Sequence, residues 1–196
     1  MTAPARIEIH PLTAERWDDL VALFGERGAY SGCWCTYWRI PHSEFDALDE
    51  PAKKKMLHRL AVKGPVPGLL AYAEGEPVGW CSIAPRPEYA ALERSRVYKR
   101  IDNEPVWSIV CFFMARPARG QGLMEQMIRG AVAYAKENGA KVVEAYPTDM
   151  QAARLAGRRL SGSDGYMGVV SAFRKAGFVE MKRASETKLI MRYTVG

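Results

Sequence analysis

A continuous apolar run, Val106 to Met114, passes within a few residues into Arg119-Gly120-Gln121-Gly122 and then into an amphipathic helix. Nothing else in the chain restricts its fold so tightly. An uninterrupted, β-rich apolar run reads as a central strand covered on both faces. In the helix that follows, Leu123, Met127, Ile128, Ala131 and Ala135 share one face, and Asn138-Gly139 closes it.

The junction between strand and helix is the candidate for chemistry. A helix N-terminus exposes unpaired backbone N–H groups and a partial positive charge. Gly120 and Gly122 would let a phosphate approach the backbone closely, and Arg119 adds a mobile cation. These properties suit a pyrophosphate, and a Gly-x-Gly also fits a plain tight turn. Two familiar phosphate motifs are excluded. The P-loop string G-x-x-x-x-G-K-[ST] is absent. A dinucleotide fingerprint needs a third Gly or Ala where Glu125 stands, and it belongs near a first strand rather than past mid-chain.

The rest of the chain supplies alternating elements. Arg6 to His10 alternates and is read as a short strand. Thr13 is the expected N-cap of a helix carrying Trp17, Leu20, Val21 and Phe24, ended by Gly25. Residues 28–41 hold Gly, Pro and many aromatics and are read as a structured loop or broken helix. Residues 42–63 read as a charged helix around Phe45, Leu48, Met56 and Leu60, interrupted at Pro51. Leu69 to Ala73 and Val78 to Ile83 read as strands joined by the hairpin turn Glu74-Gly75-Glu76-Pro77. Residues 87–100 are polar and compatible with helix. Lys141 to Tyr146 is a strand, residues 148–165 a long polar loop, and residues 166–176 a helix ending at Gly177. Phe178 to Lys182 and Leu189 to Tyr193 close the chain as strands. This order is that of an α/β fold around one mixed sheet.

At 196 residues the chain is long enough to bury a core without disulfides or metals. No stretch approaches the ~20 apolar residues that span a bilayer, and Met1 to His10 lacks the apolar segment of a signal peptide, so the expected location is the cytoplasm, away from membranes. The four cysteines argue against a disulfide framework, and Cys33-Trp34-Cys35 lacks the second ligand pair of a zinc site, so no metal is expected. The net charge of +6 favours an anionic partner, either nucleic acid or a polyphosphate cofactor. The basic residues are scattered, without interleaved stacking aromatics, and no nucleic-acid partner is expected.

Pro117-Ala118-Arg119-Gly120-Gln121-Gly122-Leu123 resembles the P-x-x-R-G-x-G-[ILV] pattern of the GNAT N-acetyltransferases. Ala172-Phe173-Arg174-Lys175-Ala176-Gly177-Phe178 is similar to that family's L-Y-x-K-x-G-F, and the hairpin from Ala71 to Gly79 resembles its second and third strands. The three lie in the family's order across residues 69–182. The resemblance implies an α/β fold with a mixed, mostly antiparallel central sheet, a splayed central strand and helices on both faces. One domain would fill residues 1–196, with an acceptor-side part at 1–68 and an acyl-CoA-binding core at 69–182. It implies acetyl-CoA as acyl donor and a primary amine as acceptor. Backbone groups of Phe113, Met114 and Ala115 would pair with the pantetheine arm. Arg119, Gly120, Gln121, Gly122 and Leu123 would hold the pyrophosphate, and Phe173 would border the cofactor. Arg174 and Lys175 fit a CoA phosphate or a solvated helix face.

The sequence departs from the family at Phe173, where many members carry the Tyr that protonates the departing thiolate. Tyr166, Cys111, Ser108 and water are the substitutes. Attack requires a neutral amine, and a carboxylate is the usual base. Glu144 and Glu104 are the candidates, with Asp149 behind them. Trp34, Tyr37 and Trp38 belong to the aromatic-rich loop expected to form the acceptor pocket, or alternatively to the core. A closed aromatic pocket favours a small-molecule amine. The alternatives are a protein lysine or N-terminal acetyltransferase and a non-catalytic acyl-CoA sensor. A homodimer is compatible with the family, although no seam is legible.

Overall fold

The computed structural model describes residues 7–159 and 161–196. Among them, seven strands form one sheet in the order β1-β2-β3-β4-β5-β7-β6. The strands are β1 (Glu8–Pro11), β2 (Leu69–Ala73), β3 (Glu76–Pro85), β4 (Trp107–Met114), β5 (Val142–Ala145), β6 (Val179–Arg183) and β7 (Leu189–Thr194). Every pairing is antiparallel except β4 with β5. The mixed, mostly antiparallel sheet expected from the sequence is present. Arg6, placed in the first strand by its alternation, lies outside the described residues.

Helices cover both faces. On one side lie α1 (Trp17–Phe24), α2 (His42–Ala47) and α3 (Glu50–Lys63). Leu20, Phe24, Trp34 and Leu57 pack there against Leu70 and Trp80 of the sheet. On the other side, α5 (Leu123–Glu137) lays Leu123, Met127, Ile128, Ala131 and Ala135 against β3 and β4, as its periodicity predicts. Three short helices, α4 (Ala90–Glu93), α6 (Gly162–Gly165) and α7 (Val170–Lys175), lie within the connections.

Two expectations change. Pro51 does not interrupt a single helix; it sits in the first turn of α3, where its missing N–H costs nothing, and Asp49 caps that turn by accepting from the Ala52 N–H at 2.8 Å. The break falls instead at Leu48, whose backbone is extended. The helix read over 166–176 begins only at Val170, because Gly168 takes φ +84 and Thr148 forms a bridge with Val169. Residues 28–41 form turns, with positive φ at Ala29, Ser31, Trp34 and Cys35, so no helix forms there.

The sheet opens at its centre. β4 and β5 pair only through Trp107↔Val143, Ser108↔Glu144 and Ile109↔Ala145. Beyond Ile109 the strands diverge, and the β3–β4 register shifts between Ser82 and Ile83, which leaves Val110 as an extra residue on β4. The Phe112 N–H turns to the carbonyl of Tyr166, on the loop that approaches the gap.

Candidate active site

Below the gap, the chain leaves β4 through a short turn and enters α5. Gly120 and Gly122 take φ +77 and +74, the left-handed region that a side chain rarely adopts. A Cβ on either would meet no atom within 4 Å, so the glycines keep a surface open rather than relieve a crowded one. Gly122 is the N-cap of α5, and no side chain caps the helix. Its first-turn N–H groups therefore face outward with their dipole intact. Arg119 arches back and donates from Nε to the Met114 carbonyl at 3.1 Å, and Gln121 donates to the Pro117 carbonyl at 2.8 Å. This geometry fits a pyrophosphate. Phe113, Met114, Arg119, Gly120, Gly122 and Leu123 border an elongated cavity of about 400 Å³ that continues past Tyr166.

Three of the expected cofactor contacts are placed differently. The Ala115 N–H is already given to the Val78 carbonyl at 2.9 Å and is not free to pair with a ligand. Gln121 lies outside the cavity lining. Phe173 is fully buried and packs edge-on against Phe112 and Phe178, while its helix neighbours Val169 and Ala172 face the channel.

A second cavity of about 320 Å³ adjoins the first and shares Tyr30, Phe112, Phe113 and Tyr166 with it. Its wall is almost wholly apolar: Phe24, Trp80 and Phe45 meet Tyr37 and Trp38 there. Among the described residues, no Asp, Glu, Lys, Arg or His lines it. Trp34, expected in this wall, turns into the core at 3% exposure and stacks with Trp17. Its ring fills the space beside Gly28, where a Cβ would lie 2.1 Å from Nε1.

Tyr166 borders both cavities and a third one, which Tyr37 and Trp38 also line. Burial pushes its phenol well above the ordinary range, so it carries its proton at neutral pH. Three thiols, Cys33, Cys35 and Cys111, also line the apolar chamber. The Cys35 thiol falls to about 7 through its hydrogen bond with Cys111, against burial, with further help from Trp80 and the charge of Arg39. Burial raises Cys33 to about 11.

The candidate bases lie elsewhere. Glu144 is fully buried where β4 and β5 are still paired. Its Oε1 accepts from Arg86 Nη1 and from the Tyr146 hydroxyl, both at 2.7 Å, and its Oε2 accepts from Arg192 Nε at 2.7 Å. Arg192 also forks onto Asp102 at 2.7 and 3.0 Å. This ionic cluster ties β5, β7 and the segment before β4 together, and Glu144 lines none of the three cavities. Glu104 is exposed at the start of β4, the end opposite the glycine turn. Asp149 pairs with Arg183 at 3.0 Å. Ser108 is buried against Tyr146 at 2.8 Å, away from the gap. No group of three or more His, Cys, Asp or Glu among the described residues could hold a metal ion, and no helix of those residues is long and apolar enough to cross a membrane.

Sequence reading missed Tyr30, Trp80 and Lys188. Trp80 and Cys111 come together only through the β3–β4 register. Tyr30 is placed by the strained turns around it. No local signal marks either.

A sheet split above an open helix N-terminus, with an apolar chamber adjoining the channel there, has the geometry of an acyl-CoA-dependent acyltransferase. The chain belongs to the acetyltransferase (GNAT) family, whose profile matches residues 30–161. No curated protein is a significant match. Solved structures share the fold at low identity. The ribosomal-protein-alanine N-acetyltransferase from Brucella melitensis is 18% identical, with a TM-score of 0.52 over 96% of this chain and 99% of that one. The PaiA N-acetyltransferase from Thermoplasma acidophilum, in complex with coenzyme A, is 15% identical, with a TM-score of 0.52 over 97% and 99%. The GNAT domain of S. lividans PAT is 15% identical, with a TM-score of 0.55 over 96% and 90%.

Proposed function

We propose that this protein transfers the acetyl group of acetyl-CoA to the primary amine of a small molecule. The observation that carries the reading is the junction, at Tyr166, of the donor channel with an aromatic, apolar chamber that no charged side chain among the described residues lines. A cavity of about 320 Å³ lined by aromatic side chains and the 29–38 loop suits a small molecule better than an extended peptide. Bound acetyl-CoA supplies an activated thioester. The first turn of α5 and Arg119 orient it, and Phe113 and Met114 flank its arm. Residues 1–68 build the acceptor side of a single working domain and residues 69–182 the donor core.

The chain's own groups then divide the proton chemistry. An ammonium is disfavoured in an apolar chamber, so the acceptor reacts from its neutral form. The Tyr166 hydroxyl protonates the departing thiolate in place of the tyrosine that Phe173 replaces, and the phenolate this leaves takes the proton that the attacking nitrogen loses as the amide forms, which restores the phenol. Glu144 serves as the counter-ion of two arginines and not as the base.

Calorimetry with acetyl-CoA on the wild type and on Gly122→Glu tests the donor half. Glutamate there adds a side chain at positive φ and a negative charge beside the pyrophosphate. Micromolar binding that collapses in the variant, with a coupled amine screen reading thiol release, would support the reading. A wild type that binds no acetyl-CoA would end it.

A further inference from the structure

The third cavity, about 590 Å³, adjoins the chamber at Tyr37, Trp38 and Tyr166, whose side chains line both. Its character is opposite to that of the chamber. Arg94, Arg96 and Lys188 line it, with Ser95, Ser185 and Thr187, and among the described residues no Asp or Glu does. Arg86, Arg100, Arg183 and Arg192 all pair with carboxylates. Among the described residues, Arg94 and Arg96 pair with none. Lys188 is half-buried, and its ammonium donates to the Thr148 hydroxyl at 2.7 Å; among the described residues it forms no ion pair. Desolvation lowers its pKa, opposed by the charge of Asp164, whose carboxylate already accepts from Ser161. A cation that gives up water for one hydroxyl is poised for an anion.

The donor is not that anion. Its phosphates are served by Arg119 and the start of α5, and the basic cavity shares only Tyr166 with the donor channel. The cavity does share Tyr37, Trp38 and Tyr166 with the apolar chamber, so a molecule whose amine reaches Tyr166 can place its other end among the cations.

We propose that Arg94, Arg96 and Lys188 bind an oxyanion, a carboxylate or phosphate, carried by the acceptor amine at the end remote from its nitrogen. This rests on the acyltransferase reading and narrows its substrate class. The neutral amine would be held in the chamber while the oxyanion is anchored in the adjoining cavity. The guanidinium fork matches both oxyanions.

The test is a matched series with acetyl-CoA: alkylamines against ω-aminocarboxylates and ω-aminoalkylphosphonates of stepped length, read by release of the CoA thiol. At the length that spans the two cavities, an anionic member should exceed its alkylamine by about tenfold or more in kcat/KM, the scale of one charge-assisted hydrogen bond. The advantage should shrink with salt. Carboxylate against phosphonate distinguishes the source of the oxyanion. Arg94→Gln with Arg96→Gln, both exposed positions, should bring the anionic member down to the alkylamine, while Lys55→Gln on α3 should leave the preference intact. Alkylamines performing equally at every length, or a preference surviving in the double variant, overturns the proposal while the acyltransferase reading stands. Calorimetric binding of the N-acetylated aminocarboxylate separates the two further. Binding lost in the double variant, on a protein that acetylates no amine, would keep the oxyanion site and refute the enzyme.

Discussion

Replacing Glu144 by glutamine separates the two roles open to this carboxylate. Both of its oxygens are occupied by donors at 2.7 Å, from Arg86, Tyr146 and Arg192, and the side chain has no exposure. Glutamine keeps the shape but removes the charge, and its NH2 must face one of those donors. One charge-assisted hydrogen bond is lost, which is worth about 1.5–3 kcal/mol, and a guanidinium donor is left buried without an acceptor at a further ~1–3 kcal/mol. The sum, about 4 kcal/mol, sits within the ~3–5 kcal/mol range for breaking one side of a buried ion pair. In a chain of this length each kcal/mol moves Tm by about 2–4 °C, so the midpoint should fall by about 10 °C. In urea, with a slope of about 2 kcal/mol/M, the midpoint should drop by about 2 M. The loss should persist in high salt, because the cluster is out of reach of screening ions. Far below the variant's midpoint, kcat per folded molecule should stay within a few-fold of wild type. A variant that unfolds like wild type but loses about 100-fold in kcat, with recovery as pH is raised, would refute the reasoning and return Glu144 to the place of the base.

Tyr166→Phe should lower kcat by about 100-fold with acetyl-CoA affinity unchanged, since general acid catalysis contributes roughly 10²–10⁴; a kcat within twofold of wild type removes Tyr166 from the reaction. With several acceptors of different basicity, the rising limb of kcat/KM against pH should follow each amine's own pKa, and a limb fixed at one pH for all acceptors would reveal a protein base. The thiols predict opposed pH effects on stability. The hydrogen bond that lowers Cys35 toward 7 also raises Cys111, so the pair holds one thiolate beside one thiol, and the contribution of Cys35 within it is present above pH 9 and is lost as pH falls through 7. Cys33 is raised to about 11 from 9.0, so its contribution is present below pH 9 and is lost as pH rises toward 11. Cys33→Ser should flatten that alkaline decline, by at most about 3 kcal/mol before its partial exposure is discounted; urea melts of the two proteins from pH 8 to 11 give the comparison.

How far the sequence discloses this molecule depends on whether the signal is local. The strand at 107–114, the glycine turn and the face of α5 follow from periodicity and φ requirements that a short window carries, and all three stand where expected. Pro51 was ambiguous within its window, because proline both breaks helices and begins them, and only Asp49's cap decides between the two. The chamber was half legible. Tyr37 and Trp38 announce themselves by density, but Trp34, from the same cluster, faces away because the turns at 34 and 35 have positive φ. Glu144 shows the sharper limit. A glutamate on the strand beside the cofactor helix looks like a base until Arg86 and Arg192, 58 and 48 residues away along the chain, close on it. Phe173 follows the same pattern: it holds the tyrosine's place in the motif, but its side chain joins the core.

The distribution of charge explains how such a site works without a carboxylate. The acids of the sheet's centre are committed: Glu144 and Asp102 to Arg192, and Glu93 to Arg86 and Arg100. They hold the closed half of the β4–β5 pair rigid, so the open half keeps its gap. Among the described residues, the chamber that meets the gap is lined by no ionisable group but thiols and phenols, and Cys35 is pulled toward neutral pH. An amine that enters must leave its proton outside, so the desolvation that would disfavour a cation becomes the step that prepares the nucleophile. On the readings proposed above, the cations at the donor turn and in the third cavity attract the anionic parts of donor and acceptor. That is how a net charge of +6 serves a reaction whose centre is neutral.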